Sequence, residues 1–156
     1  MSDQLVFIDT EFTCFSDPQL ISIGLAASTG EEFYAEVPYA FSKCSEFVRE
    51  VVVPLLGKDP VYSYDELHTH LRNWFTVVKA TEIITICHDS EFDRTLFLQI
   101  FDNRPPHFIR FRDVSERNIN ELLRYEFHAK NSLPEHHALY DALALRYAFR
   151  EWPLSK

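Results

Sequence analysis

Apolar and polar positions alternate in two rhythms along the chain. Residues 4–8 form a short apolar run, 20–26 ("LISIGLA") a second, and 32–38 ("EFYAEVP") sets Phe33, Ala35 and Val37 between polar neighbours. Runs of this length and period belong to buried and half-buried strands. "STGEE", with Gly30, marks the hairpin turn between the second and third. These three segments predict an antiparallel meander.

The period then lengthens. Residues 45–56 carry helical spacing disturbed by Pro54, and 63–80 open on a Ser63/Glu66 capping box and place Leu67, Leu71, Trp74, Phe75 and Val78 on one stripe. A further strand is predicted at 82–87 ("EIITIC"), then a helix at 91–101 with Phe92, Leu96 and Ile100 on its apolar face. Pro105-Pro106 breaks the chain before a helix at 114–126. The last helix is predicted at 134–151, with Ala138, Ala142, Leu145, Phe149 and Trp152 as its stripe. This order predicts one α/β domain over residues 1–156 with a mixed sheet.

Against that pattern, "VFIDTEF" is anomalous: it drives two acids out of the end of a core strand. Residues i and i+2 of a strand share a face, so Asp9 and Glu11 project together and repel unless neutralised. Two more acids stand in apolar surroundings, Asp93 in "CHDSEFDRTLF" and Asp141 in "HHALYDALALRYAF". Asp is a poor helix-interior residue, so each needs a reason. Four such carboxylates, converging at one sheet edge, would hold two hard divalent cations, Mg²⁺ or Mn²⁺.

Histidines precede both helical acids by five residues: His88 before Asp93 and His136 before Asp141. Five helical steps leave two residues about 140° apart, so His136 could reach the acids only from a loop–helix junction. Ser132 and Glu135, with capping-box spacing, would start that helix earlier. Spacing alone does not choose between the histidines.

Composition adds three points. Aromatic residues make up 15% of the chain and include 14 Phe, a surplus that a base-stacking site would use. Phe12 and Phe15, flanking Glu11, are candidates for the terminal bases; Thr10 points away from the acids, its amide being the group that could approach a substrate. The three cysteines have no metal-binding spacing, no basic-then-apolar leader opens the chain, and no apolar stretch is long enough to span a bilayer. Together they predict a cytoplasmic protein with reduced thiols.

The formal net charge of −9 runs against binding long nucleic acid. It is uneven, however. Residues 1–103 hold 6 Lys+Arg against 17 Asp+Glu, while residues 104–130 hold 6 against 4.

The segments "VFIDTEF", "CHDSEFD" and "HHALYDA", in that order, resemble the three exonuclease motifs of the DEDDh 3′–5′ exonuclease superfamily. "DTEF" followed by "LISIGLAASTGEEFYAEVP" is similar to a branch of small bacterial 3′–5′ exoribonucleases related to a mycobacterial enzyme. The resemblance covers nearly the whole chain. It implies a ribonuclease H-like fold, Asp9, Glu11, Asp93 and Asp141 as metal ligands, His136 rather than His88 as general base, and two divalent cations. It also implies RNA 3′ ends as substrate and a homodimer. Two departures stand out: Asp89 where the commonest second motif has Asn, and "DTEFTC" where the first often reads "DTETTG". Competing readings with the same residues are a 3′–5′ exodeoxyribonuclease, a non-catalytic nucleic-acid-binding module and a nucleotide phosphohydrolase.

Overall fold

The structure, a computed structural model, describes residues 3–78 and 83–151. Glu82, Ala80 and Trp152, which belong to predicted elements, lie outside them. Five strands form one mixed sheet: β1 (Gln4–Phe12), β2 (Leu20–Ala27), β3 (Glu32–Glu36), β4 (Ile84–His88) and β5 (Ile109–Asp113), in the order β3-β2-β1-β4-β5. β1, β2 and β3 pair antiparallel, as the meander predicts, whereas β4 and β5 run parallel to β1. The fold is α/β and consistent with a ribonuclease H-like architecture.

Among the described residues there are four α-helices, α1 (Tyr64–Val78), α2 (Glu91–Ile100), α3 (Glu121–Asn131) and α4 (Ala138–Ala148), with α3 packed on α4. Alternation along β1 divides the core. Val6 and Ile8 pack with Leu67, Leu71 and Phe75 of α1 and with Leu96 and Phe97 of α2. Phe7 faces the other way and packs with Cys87 and with Leu145 of α4. The carboxyl ends of β1 and β4 lie side by side where the chain turns from meander to parallel crossover. Ligands of open α/β sheets bind at such switch points.

Three predicted elements differ. The 45–56 helix is a π-helical turn (Val48–Val52) running into a 3-10 turn (Val53–Leu55). Pro54 has no N–H to donate and its ring crowds the preceding turn, so a regular α-helix does not continue there. The 114–126 helix begins only at Glu121, behind an Asn120 cap whose side chain accepts from the Leu123 amide, and reaches Asn131. Its upstream stretch follows β5, an edge strand not predicted, in which Arg110 and Arg112 alternate with Ile109 and Phe111. The 134–151 helix spans only Ala138–Ala148, because Ser132 closes α3 in a left-handed conformation instead of opening α4.

Candidate active site

The site is assembled from four elements. Asp9 and Glu11 leave the end of β1 on the face covered by α4, and Asp141 lies in the first turn of that helix. The close approach depends on Gly24, which pairs with Asp9 across β1 and β2. A Cβ there would stand 2.4 Å from the backbone of Ala138 and Leu139, so only glycine lets the start of α4 settle against the acids.

Asp93 comes from α2 on the opposite face and is tied to β1 by Thr10. The Thr10 amide donates to Asp93 Oδ1 at 3.1 Å and its hydroxyl to the same oxygen at 2.5 Å. Thr10, expected at the substrate, is buried beneath the acids with both of its donors on Asp93. Strand alternation explains this, since Thr10 faces α2 while Asp9 and Glu11 face α4.

His136 lies in the loop before α4, at φ 66°. A non-glycine residue held there costs roughly 1 kcal/mol or more and marks a site where surrounding structure enforces the conformation. The enforcement is visible: the His136 amide donates to both oxygens of Asp141, at 3.0 and 3.3 Å, and its ring meets the edge of Phe47 at 5.0 Å. The loop–helix junction therefore brings His136 beside Asp141, which a helical placement would not.

Two sets of ligand atoms result. Asp9, Asp89 and Asp93 each bring a carboxylate oxygen within 4.8 Å of the others, and Glu11, His136 and Asp141 form a second such group. Among the described residues, Asp9 Oδ2 and Asp93 Oδ2 are buried with no hydrogen-bond partner. A buried carboxylate oxygen left unpaired is costly, and hard divalent cations satisfy such oxygens. The donor set fits a metal.

The protonation of the site agrees. Burial, then the charges of Asp93, Asp141, Glu11 and Asp89, raises Asp9 well above the carboxylate range. Burial and the charge of Asp141 push Glu11 up to about 8. Burial also takes Asp93 to about 8 against the lowering effect of the Thr10 hydrogen bonds. Asp141 rises less, to about 6, because His128 and His136 oppose its burial. Without cations this cluster holds protons in their place.

Three residues escaped the sequence reading. His128 of α3 accompanies Asp141, with Nε2 at 3.2 Å from its Oδ1, while its Nδ1–H donates to the Leu133 carbonyl at 3.0 Å. Arg124, one turn earlier, pairs with Asp89 at 2.8 Å. Gly24 is the third. Helical spacing predicted the 114–126 segment but not which face would meet the acids, so α3 offered no signal. Glycine inside the apolar run "LISIGLA" was the one available sign of a close approach. His88 is 2% exposed, at the end of β4.

Asp9, Asp89, Arg124, His128, His136 and Asp141 line one open pocket. Nearby, Phe12 stacks on Phe92 (5.1 Å between centroids, 21° between planes), and Phe15 meets both edge-on at 5.6 and 5.4 Å. Phe15 is 75% exposed. Phe92, predicted in the core, is only partly buried because its ring turns to Phe12.

No curated protein sequence matches the chain. A family model does match, over residues 4–152: the chain belongs to the 3′-5′ exoribonuclease Rv2179c-like domain family.

Proposed function

We propose that this protein shortens single-stranded RNA or 3′ overhangs from the 3′ end, releasing one nucleoside 5′-monophosphate at a time, with two divalent cations, Mg²⁺ or Mn²⁺. The observation that supports it best is the pair of buried, unpartnered oxygens on Asp9 and Asp93 in a cluster that also holds Asp141 and His136. Bound cations would supply the charge that lowers the pKa of the attacking water and offsets charge on the departing 3′-oxygen.

The chain's own residues supply positioning and proton transfer. Asp9, Glu11, Asp93 and Asp141 hold the cations. Thr10 fixes Asp93, and His128 with the His136 amide fixes Asp141. The imidazole of His136 takes the proton of the attacking water. The water oxygen bonds to phosphorus, the bond from phosphorus to the 3′-oxygen breaks, and that oxygen takes a proton from solvent. Phe12, Phe15 and Phe92 form the surface on which the terminal bases stack, worth about 1–3 kcal/mol per base.

The experiment is digestion of matched RNA oligonucleotides, one labelled at the 5′ end and one at the 3′ end, with Mg²⁺, Mn²⁺ or EDTA. The 5′-labelled strand should shorten as a ladder, the 3′-labelled strand should yield labelled monophosphate at once, and EDTA should stop both. Internal cuts, or digestion that persists in EDTA, would refute the reading. A matched DNA strand tests the deoxyribonuclease alternative in the same assay.

A further inference from the structure

We propose that Arg124 forms a phosphate-binding subsite in this pocket, with Asp89 as the competing partner that a phosphate displaces; the inference rests on the nuclease reading above. The pocket has an electrostatic difficulty. Asp9, Asp89, Glu135 and Asp141 all line it, and its substrate is a polyanion. Among the described lining residues Arg124 is the sole arginine or lysine.

Its placement is built. Asn120 caps α3 through the Leu123 amide at 3.2 Å, which fixes the first turn. Arg124 and His128 then stand four residues apart on one helix face, both at the pocket. Arg124 Nη1 donates to Asp89 Oδ2 at 2.8 Å, and Nη2 lies 3.1 Å from Glu121. Nε is buried with no hydrogen-bond partner.

The guanidinium therefore has donors to spare. The Glu121 carboxylate is 72% exposed, so water and salt weaken its hold and an incoming phosphate displaces it at little cost. A planar fork of N–H groups matches two oxygens of a phosphate. The partly buried bond to Asp89 keeps the guanidinium at the pocket wall until then, and it also neutralises a carboxylate that lies within 4.8 Å of Asp9 and Asp93 oxygens. Asp89 thus competes with the phosphate for the same cation.

Equilibrium titration of a nucleoside 5′-monophosphate into the Mg²⁺-loaded protein tests this without turnover. Arg124→Gln should weaken binding about tenfold or more, the usual cost of losing a charge-assisted hydrogen bond, and should flatten its salt dependence. Asp89→Asn should tighten binding by about twofold or more, as expected when a partly exposed competitor is removed. The gain should vanish in the Arg124→Gln background, because Asp89 acts on the ligand through Arg124. The double variant leaves neither charge unpaired, so its weak binding would not reflect an unfolded pocket. Wild-type affinity in the double variant, or weaker binding by Asp89→Asn, would overturn the proposal. Were the wild-type protein to bind no monophosphate while Mg²⁺ is present, the nuclease reading and this subsite would fall together, whereas a loss of discrimination among the variants alone removes only the subsite.

Discussion

The two ends of β1 are built on opposite terms. At its start, the buried Gln4 amide donates to Ser28 and Thr29 hydroxyls at 3.0 and 3.1 Å, and neighbouring Thr85 donates to Asp3 at 3.0 Å. At its far end, five residues beyond Gln4, Asp9 brings a carboxylate oxygen into the interior and leaves it without a partner. The same strand and the same layers surround both. A fold that satisfies polar groups at one end could do so at the other, so the unsatisfied end marks a place where stability yields to ligand binding.

The sharpest way to break this comparison is Asp9→Asn. It should abolish detectable turnover while stabilising the metal-free protein, since it replaces a buried group that is costly to ionise with one that stays neutral at every pH. The pH dependence gives an independent measure. Glu11 and Asp93 titrate at about 8 and Asp141 at about 6 in the native state, above the values near 4 expected when unfolded. At these groups the metal-free native protein therefore holds more protons than the unfolded chain, and the stability they contribute is full below about pH 4 and lost as pH rises to about 8. Thermal unfolding in EDTA across pH 5–8 should show a falling Tm, restored by Mg²⁺ and flattened in Asp9→Asn. A Tm that rises with pH would mean the acids are satisfied by something else.

His136→Ala should slow cleavage by about 10²–10⁴-fold, the usual range for a lost general base, yet still bind Mn²⁺ by calorimetry. Full activity would return the base to another group. Gly24→Ala tests the wall of the site: its methyl must displace the α4 backbone, at a cost of about 1–3 kcal/mol in chemical unfolding, with a loss of cleavage that exceeds the loss of folded protein. At the satisfied end, Gln4→Ala should cost only about 1 kcal/mol and leave kcat unchanged. An activity defect there would erase the distinction between the two ends.

Much of the scaffold was legible because it rests on local rules. The meander followed from apolar runs and the Gly30 turn, where φ is 111°. The capping box formed as spaced, with the Ser63 amide on Glu66 at 3.1 Å and the Glu66 amide on Ser63 at 3.2 Å. Asp9, Glu11, Asp93 and Asp141 stood out because acids in apolar surroundings violate those rules, and the resemblance to the exonuclease motifs named them as ligands. β5 was missed although Arg110 and Arg112 alternate with Ile109 and Phe111 as on a half-buried strand, and α4 started late because a left-handed Ser132 reads in sequence like an N-cap.

Periodicity, caps and misplaced charge are properties of neighbouring residues, and they determined four of the five strands and most helices and drew attention to the acids. Which atoms meet is a property of the packed sheet. The positive φ that brings His136 to Asp141, the Gly24 gap beneath α4, the Thr10 clasp on Asp93, and the arrival of Arg124 and His128 from a helix over a hundred residues beyond β1 exist only once the layers close. Contacts between residues so far apart in the chain leave no periodic trace, so tertiary structure alone decided how the site is held together.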